Sequence, residues 1–333
     1  MDAVQGSPRN DEAMQAGEAS ARFQDRSRTV AALRGDRIFR GAAFGGAIVM
    51  LLIVAAIGVT LVQGSSAVLL HTGPRFFLSR AWDPVTEDFG ALHSILGTLL
   101  AAGLSLAFAV PLAVGIAIFL TELAPAWLAR PVATAIEVLA AVPSIIYGMW
   151  GLFILAPVVA DHVQPFLTKH FGFLPFFQGP PMGIGMLTAA IVLALMVVPY
   201  IAAVARDLFS MVPAQVKEAA TGLGATRWEV VRSVVLPYTR SGLIGAVTLG
   251  LGRALGETMA VTFVIGNSHE IGLSLYAPSN TIASTLANEF TEATGELYLS
   301  SLMALALCLF LLTFVILAVG RLLVLRTAGG KAA

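Results

Sequence analysis

Charge is scarce in this sequence: Asp, Glu, Lys and Arg make up 12% of 333 residues, against roughly 25% in a soluble domain. So little charge cannot solvate a globular surface, and most of the chain belongs in lipid. Cys308 is the single cysteine and sits in an apolar run, which excludes an intrachain disulfide and a cysteine-built metal site. His71, His93, His162, His170 and His269 lack the spacing of metal ligands and read as structural, so no metal is expected. There is no G-x-x-x-x-G-K-[ST] phosphate loop, and Gly250-x-Gly252-x-x-x-Gly256 misses the dinucleotide spacing by one residue. No nucleophile–base pair stands out either. These gaps argue against an enzyme, a cofactor and a nucleic-acid partner, and leave the chain no means of hydrolysing ATP by itself.

Long apolar runs are abundant, with hydrophobic residues at 57% of the chain. Residues 1–40 are polar and too poor in apolar side chains to repay the entropy of ordering, so they read as a disordered cytoplasmic tail. Ala42 to Val62 is long enough to cross a hydrocarbon layer of about 30 Å and is read as a first span, not as a signal peptide. Further spans are expected at 93–121, 131–158, 183–205, 238–266 and 298–325. Backbone groups in lipid must be paired internally, so these runs predict helices. The expectation is an all-α integral membrane protein of about six spans, with a membrane domain over 41–326 and a short C-terminal segment over 327–333.

Lys and Arg set the orientation. Seven arginines lie in the tail. Arg130, Arg206, Lys217, Arg227, Arg232, Arg240, Arg321, Arg326 and Lys331 fall on the same side, whereas Arg75, Arg80 and Lys169 lie opposite. Both termini are therefore expected in the cytoplasm. The outer loops carry aromatics, among them Phe76, Trp82, Phe89 and Phe177, which read as an interface belt, and the acidic residues Glu270, Glu289, Glu292 and Glu296, which read as a solvated face. Glu122 and Glu137 read as structural glutamates near the inner interface.

Two features do not follow from burying apolar helices. The inner loop over 206–237 reads as helix, glycine break, helix. Pro213 suits a helix start, Gly222 and Gly224 interrupt, and Thr226-Arg227-Trp228-Glu229 is a capping box with Trp228, Val231 and Val235 on one side. Such a loop either docks a partner or merely connects two spans. Second, Arg253 falls about 24 Å along a helix counted from Pro237, near mid-membrane. An arginine there costs at least about 2.5–3.5 kcal/mol and needs a cavity and a partner. Glu257, one turn on, is the expected partner, in a substrate site or in an ion pair that holds the bundle. Gly252 and Gly256 form a G-x-x-x-G step beside it, which predicts close helix packing.

The run Glu218-Ala219-Ala220-x-x-x-Gly224-Ala225, closing with Val234-Val235-Leu236-Pro237, resembles the EAA loop of permease subunits of ATP-binding-cassette importers. The resemblance extends through Trp82-Asp83-Pro84, Phe89-Gly90, Gly97-Thr98, Pro143-Ser144 and Tyr147-Gly148. The run from Gly252 to Val261 is most similar to the C-type permeases of the Pst phosphate system. It implies the importer permease fold, with both termini inside, a coupling loop that docks an ATPase through Glu218, Ala219, Ala220, Gly224 and Ala225, and a weak phosphate site at Arg253 and Glu257. The implied partners are an A-type permease, two copies of an ATPase subunit that hydrolyses the ATP, an extracytoplasmic phosphate-binding protein and the bacterial inner-membrane lipid. A permease for sulfate or molybdate is the nearest alternative, and a secondary transporter that needs no ATPase a more distant one.

Overall fold

The computed structural model describes residues 39–270 and 272–329, so almost all of the expected tail lies outside the described residues. Two compact units divide between Thr60 and Leu61. The first holds most of α1 (Phe39–Gly64), an apolar helix of 26 residues. The second begins with the short helices α2 (Ser66–Thr72) and α3 (Arg75–Leu78) and a two-stranded antiparallel ribbon, β1 (Trp82–Asp83) with β2 (Asp88–Phe89). It continues with α4 (Leu92–Leu123), α5 (Ala126–Ala140), α6 (Ser144–Phe171), α7 (Met186–Ser210), α8 (Ala214–Gly222), α9 (Arg227–Leu255), α10 (Met259–Val264), α11 (Ile282–Glu289) and α12 (Glu296–Gly329). Among the described residues six helices, α1, α4, α6, α7, α9 and α12, are long and apolar enough to span a membrane.

Two spans differ from the sequence expectation. The third does not run over 131–158. The helix α5 stops at Ala140, and a new helix begins at Ser144 and continues to Phe171. Pro143 is the cause: it disfavours helical geometry at Val142, and a sum of hydropathy over the run does not register a backbone break. Trp127, Arg130, Thr134 and Glu137 recur at helical spacing along α5, which therefore suits the inner interface better than the hydrocarbon. The fifth span starts early, at Arg227, and stops at Leu255, so residues 259–264 form the separate helix α10.

The spanning helices contain four wide turns, Phe119–Leu123, Gly151–Leu155, Val159–Val163 and Val231–Val235. Each ends two residues before a proline: Pro125, Pro157, Pro165 and Pro237. In each, the residue just before the proline donates its N–H to a carbonyl five residues back, as from Ala156 to Gly151 and from Leu236 to Val231. Proline supplies no N–H and its ring clashes with the carbonyl four residues behind it. Widening the preceding turn absorbs the clash while keeping the helix continuous in lipid.

The helix α7 is the centre of the second unit, with 72% of its apolar window buried against 22–28% in α4, α6, α9 and α12. Ala101, Ala102, Ala109 and Ala113 of α4 meet Ala189, Val192, Leu193, Val197 and Ile201 of α7 in one core. No hydrophobic force drives helices together inside lipid, so small side chains that admit close van der Waals contact are what such an interface needs. Gly250 of α9 lies against Ile201, where an added Cβ would sit 2.7 Å from a methyl carbon. At the inner end Glu137 pairs with Arg206 at 2.9 Å and Lys217 pairs with Glu122, which tie α5 to α7 and α8 to α4.

At the outer end Phe76, Trp82, Phe89 and Glu289 are structural, unlike the belt and solvated face expected from sequence, whereas Phe77, Phe166, Phe171, Phe173 and Phe176 are exposed as a belt requires. Phe76 and Phe89 are fully buried. Glu289 Oε2 accepts from the Trp82 indole at 2.7 Å and from the Tyr298 hydroxyl at 2.8 Å, and Oε1 accepts from His269 Nε2 at 2.8 Å. Asn280 Nδ2 lies 2.8 Å from His269 Nδ1, which orients the ring so that Nε2 faces Glu289. Trp82 stacks on His269 and Phe89 on Tyr298. One carboxylate thus joins the β1–β2 ribbon, the loop at 269, α11 and α12.

Burial pushes the Glu289 carboxyl up, but hydrogen bonds from His269, Tyr298 and Trp82 outweigh it and hold the group below the usual carboxylate range. A depressed value stabilises the fold above the unfolded pKa of about 4.3 and loses that contribution as pH falls through the folded value. We expect Glu289→Leu to destabilise the protein by about 2–3 kcal/mol, since three donors lose their acceptor. Thermal unfolding in detergent between about pH 7 and pH 3 should show a decline for the native chain that is smaller in Glu289→Gln, since hydrogen bonds also hold Asp83 below the usual carboxylate range.

Candidate functional site

Arg253 lies in the last turn of α9, and its side chain is exposed from the unit. The helix ends two residues later. Gly256 caps it at φ −93° and ψ 2°, Glu257 N–H donates to Ala254 O at 3.4 Å, and α10 opens at Met259. The i to i+4 register that would place Glu257 over Arg253 on one continuous helix is therefore absent, and no ion pair joins the two among the described residues. Glu257 Oε1 instead accepts from Ala260 N–H at 3.2 Å, satisfying an otherwise orphaned donor at the start of α10. Thr258 supplies its carbonyl to the Thr262 hydroxyl at 2.7 Å.

The start of α6 lies beside this break. Gly148 admits α10 so closely that an added Cβ would stand 3.0 Å from Ala260 Cα and 2.9 Å from Phe263. One residue earlier, Tyr147 is within electrostatic reach of Arg253, and its hydroxyl donates to Leu139 O at 2.9 Å. The segment around Pro143 to Gly148, singled out by resemblance, is thus brought next to the Gly252–Val261 segment by tertiary packing. Gly252 faces Leu317 of α12, whose methyl would lie 3.1 Å from an added Cβ, while Gly256 has only Gly252 O within 4 Å. The helix break itself went unforeseen. Its signal is the Gly256-Glu257-Thr258 run, a cap-like sequence hidden inside an apolar stretch.

The inner loop forms a helix, a turn and a helix. The helix α8 ends at Gly222, the turn passes through Gly224 at φ +91°, and α9 opens with a complete capping box between Thr226 and Glu229. The positive φ requires glycine at 224. Ala220 and Ala225 pack inward on the cluster of Phe209, Val212, Val230 and Val235. Glu218, Ala219, Gly222 and Gly224 face outward. Val231 and Val235 are buried, but Trp228 is 62% exposed, so it does not share their side as expected. Leu223 at 91% and Met211 at 71% exposure complete an apolar tip on this loop that sequence reasoning passed over.

Residues 109–329 match the profile of the family "Binding-protein-dependent transport system inner membrane component". A PstC phosphate transport system permease protein of Mesorhizobium japonicum is 52% identical over 87% of this chain and 90% of its own length. Another, of Haemophilus influenzae, is 55% identical over 87% of this chain and 93% of its own. This chain belongs to that family of inner-membrane permeases, among the PstC proteins. It is a multi-pass inner-membrane subunit of a transport system. A methionine transporter MetNI structure, inward facing, shares the fold with a TM-score of 0.54 at 19% identity, covering 74% of this chain and 99% of that one. An alginate importer does so with a TM-score of 0.52 at 16% identity, covering 74% of this chain and 80% of that one.

Because Glu257 closes the first turn of α10, Glu257→Ala should destabilise the unit by about 1 kcal/mol, in the range of a lost helix cap, whereas Glu257→Gln keeps an acceptor and should be close to neutral. Thermal unfolding of the three proteins in one detergent checks this ranking.

Proposed function

We propose that this chain is the C-type permease of an importer for inorganic phosphate. It works beside an A-type permease, two copies of an ATPase subunit and an extracytoplasmic phosphate-binding protein. The observation that carries the reading is Arg253: a permanently charged side chain exposed at a helix break within the membrane domain, with no carboxylate partner among the described residues. An arginine in that setting suits the wall of a water-filled path, and its planar fork can hold two oxyanion oxygens. Broken spans near the middle of a membrane are where transporters place such sites.

Glu257 favours phosphate over sulfate or molybdate. Near neutrality phosphate still carries a proton and can donate it to a carboxylate, whereas a fully ionised dianion is repelled. Holding phosphate by one arginine and one carboxylate gives a weak site, as passage requires. The tip of the inner loop, with Glu218, Ala219, Gly222, Leu223 and Gly224 outward, is the surface offered to the ATPase. The inward residues Ala220 and Ala225 tie that tip to α4, α7 and α9 through their shared apolar cluster. Movement of the docked tip is thereby passed to the helices that carry Arg253.

Arg253→Ala should lower phosphate uptake by about 10- to 100-fold at an unchanged amount of assembled complex, the loss of charge-assisted hydrogen bonds to the anion. Arg253→Lys should fall between this variant and the native chain. Glu257→Gln should make uptake sensitive to competing sulfate. Uptake of labelled phosphate per assembled complex decides, and native uptake by Arg253→Ala removes the site. For the loop, Leu223→Asp should uncouple ATP hydrolysis from transport while thermal stability changes little, because its side chain touches almost nothing within the chain. Gly224→Asp should do the same with an added loss of stability, since its backbone is left-handed.

A further inference from the structure

An apolar groove of about 490 Å³ lies on a face of the second unit away from Arg253. Val110 and Val114 of α4 form one wall, Leu243, Ile244, Val247, Thr248 and Leu251 of α9 a second, and Val315, Ile316, Val319, Gly320 and Leu323 of α12 a third. Its floor is a close helix crossing: a Cβ on Gly320 would stand 2.2 Å from the Thr248 methyl. The Thr248 hydroxyl donates to Ile244 O at 2.7 Å and so offers the groove no polar group.

The inner end of this groove is basic. Arg240 lies one turn before Leu243 and Ile244 and, at 100° per residue, in the middle of their stripe on α9. Arg326 follows Leu323 on the same stripe of α12, whereas Arg321 falls on the opposite side. Arg240 Nη2 donates to Thr327 O at 3.5 Å, which brings the two helix faces together at this level. Both arginines are exposed and neither has a carboxylate partner among the described residues.

We propose that this groove is a binding site for an anionic phospholipid of the inner leaflet, with an acyl chain between α4, α9 and α12 and the phosphate held by Arg240 and Arg326. Charge complementarity selects this occupant. A dry slot that opens at the cytoplasmic interface onto two uncompensated guanidinium groups matches a molecule with an apolar chain and a negative head at one end. A membrane-spanning helix of another subunit could fill the apolar part but would leave both charges uncompensated. The site is separate from the proposed anion path, because Arg253 projects from the far side of α9 relative to the groove stripe.

The test is native mass spectrometry of the purified permease assembly titrated with phosphatidylglycerol, with phosphatidylcholine of the same acyl chains, and with glycerol 3-phosphate. Phosphatidylglycerol should bind in preference to phosphatidylcholine, and glycerol 3-phosphate should not bind. Each of Arg240→Gln and Arg326→Gln should weaken phosphatidylglycerol about fivefold, and the double variant about 30-fold. Arg321→Gln should leave it unchanged, and Val319→Trp should weaken it by filling the slot. Arg326→Gln spares the Arg240 contact to Thr327 and so separates lipid binding from helix packing. Equal binding of the two lipids, or native affinity in the double variant, overturns the proposal. So does a photoreactive residue at position 247 that crosslinks to another subunit's helix instead of to lipid.

Discussion

A backbone in hydrocarbon has no water to turn to, and that constraint orders most of this molecule. Each proline near or within a spanning helix removes a donor and pushes on a carbonyl. At Pro125, Pro157, Pro165 and Pro237 the chain answers with a wide turn just upstream, in which the preceding N–H finds a carbonyl five residues back. The same constraint explains why the interruption of α9 at Gly256 is furnished with its own acceptors. Ala254 O takes the Glu257 N–H, and the Glu257 carboxylate takes that of Ala260. An open backbone is tolerable at membrane depth only where protein or a water-filled path surrounds it, so the break and the exposed arginine beside it are two consequences of one local design.

The two ends of the second unit are built from different interactions. The outer end is fixed by a charge: Glu289 gathers the nearby Tyr298 phenol and His269 imidazole and, from 207 residues away, the Trp82 indole, and the aromatic rings stack around it. The inner end is held by ion pairs between neighbouring helices and by a small apolar cluster under the loop. Between them α7 is enclosed on most of its surface, and the alanine-rich contact with α4 leaves little freedom for one to slide past the other.

Much of this was legible in the sequence because apolar run length and basic-residue asymmetry are local quantities. They were enough for six spans, although the bounds of the third and fifth were misplaced. The capping box at Thr226 was legible for the same reason, being a pattern four residues long that is satisfied within itself. The glycine at 224 was marked by residue type, and the structure adds its cause, a positive φ.

What failed did so at backbone breaks and at contacts between distant segments. Hydropathy could not see that the chain breaks between Ala140 and Ser144, around Pro143, nor that Gly256 separates Arg253 from Glu257, because neither break changes the apolar content of its run. The contact of Trp82 with Glu289 and the neighbourhood of Tyr147 and Arg253 depend on which helices pack together, and those choices are made by shape between segments more than a hundred residues apart. By itself the sequence determined that the chain is a helical protein with six spans and which of its residues are costly in lipid. Only the tertiary structure decided which of those residues meet, because close packing is a property of facing surfaces and not of any one segment.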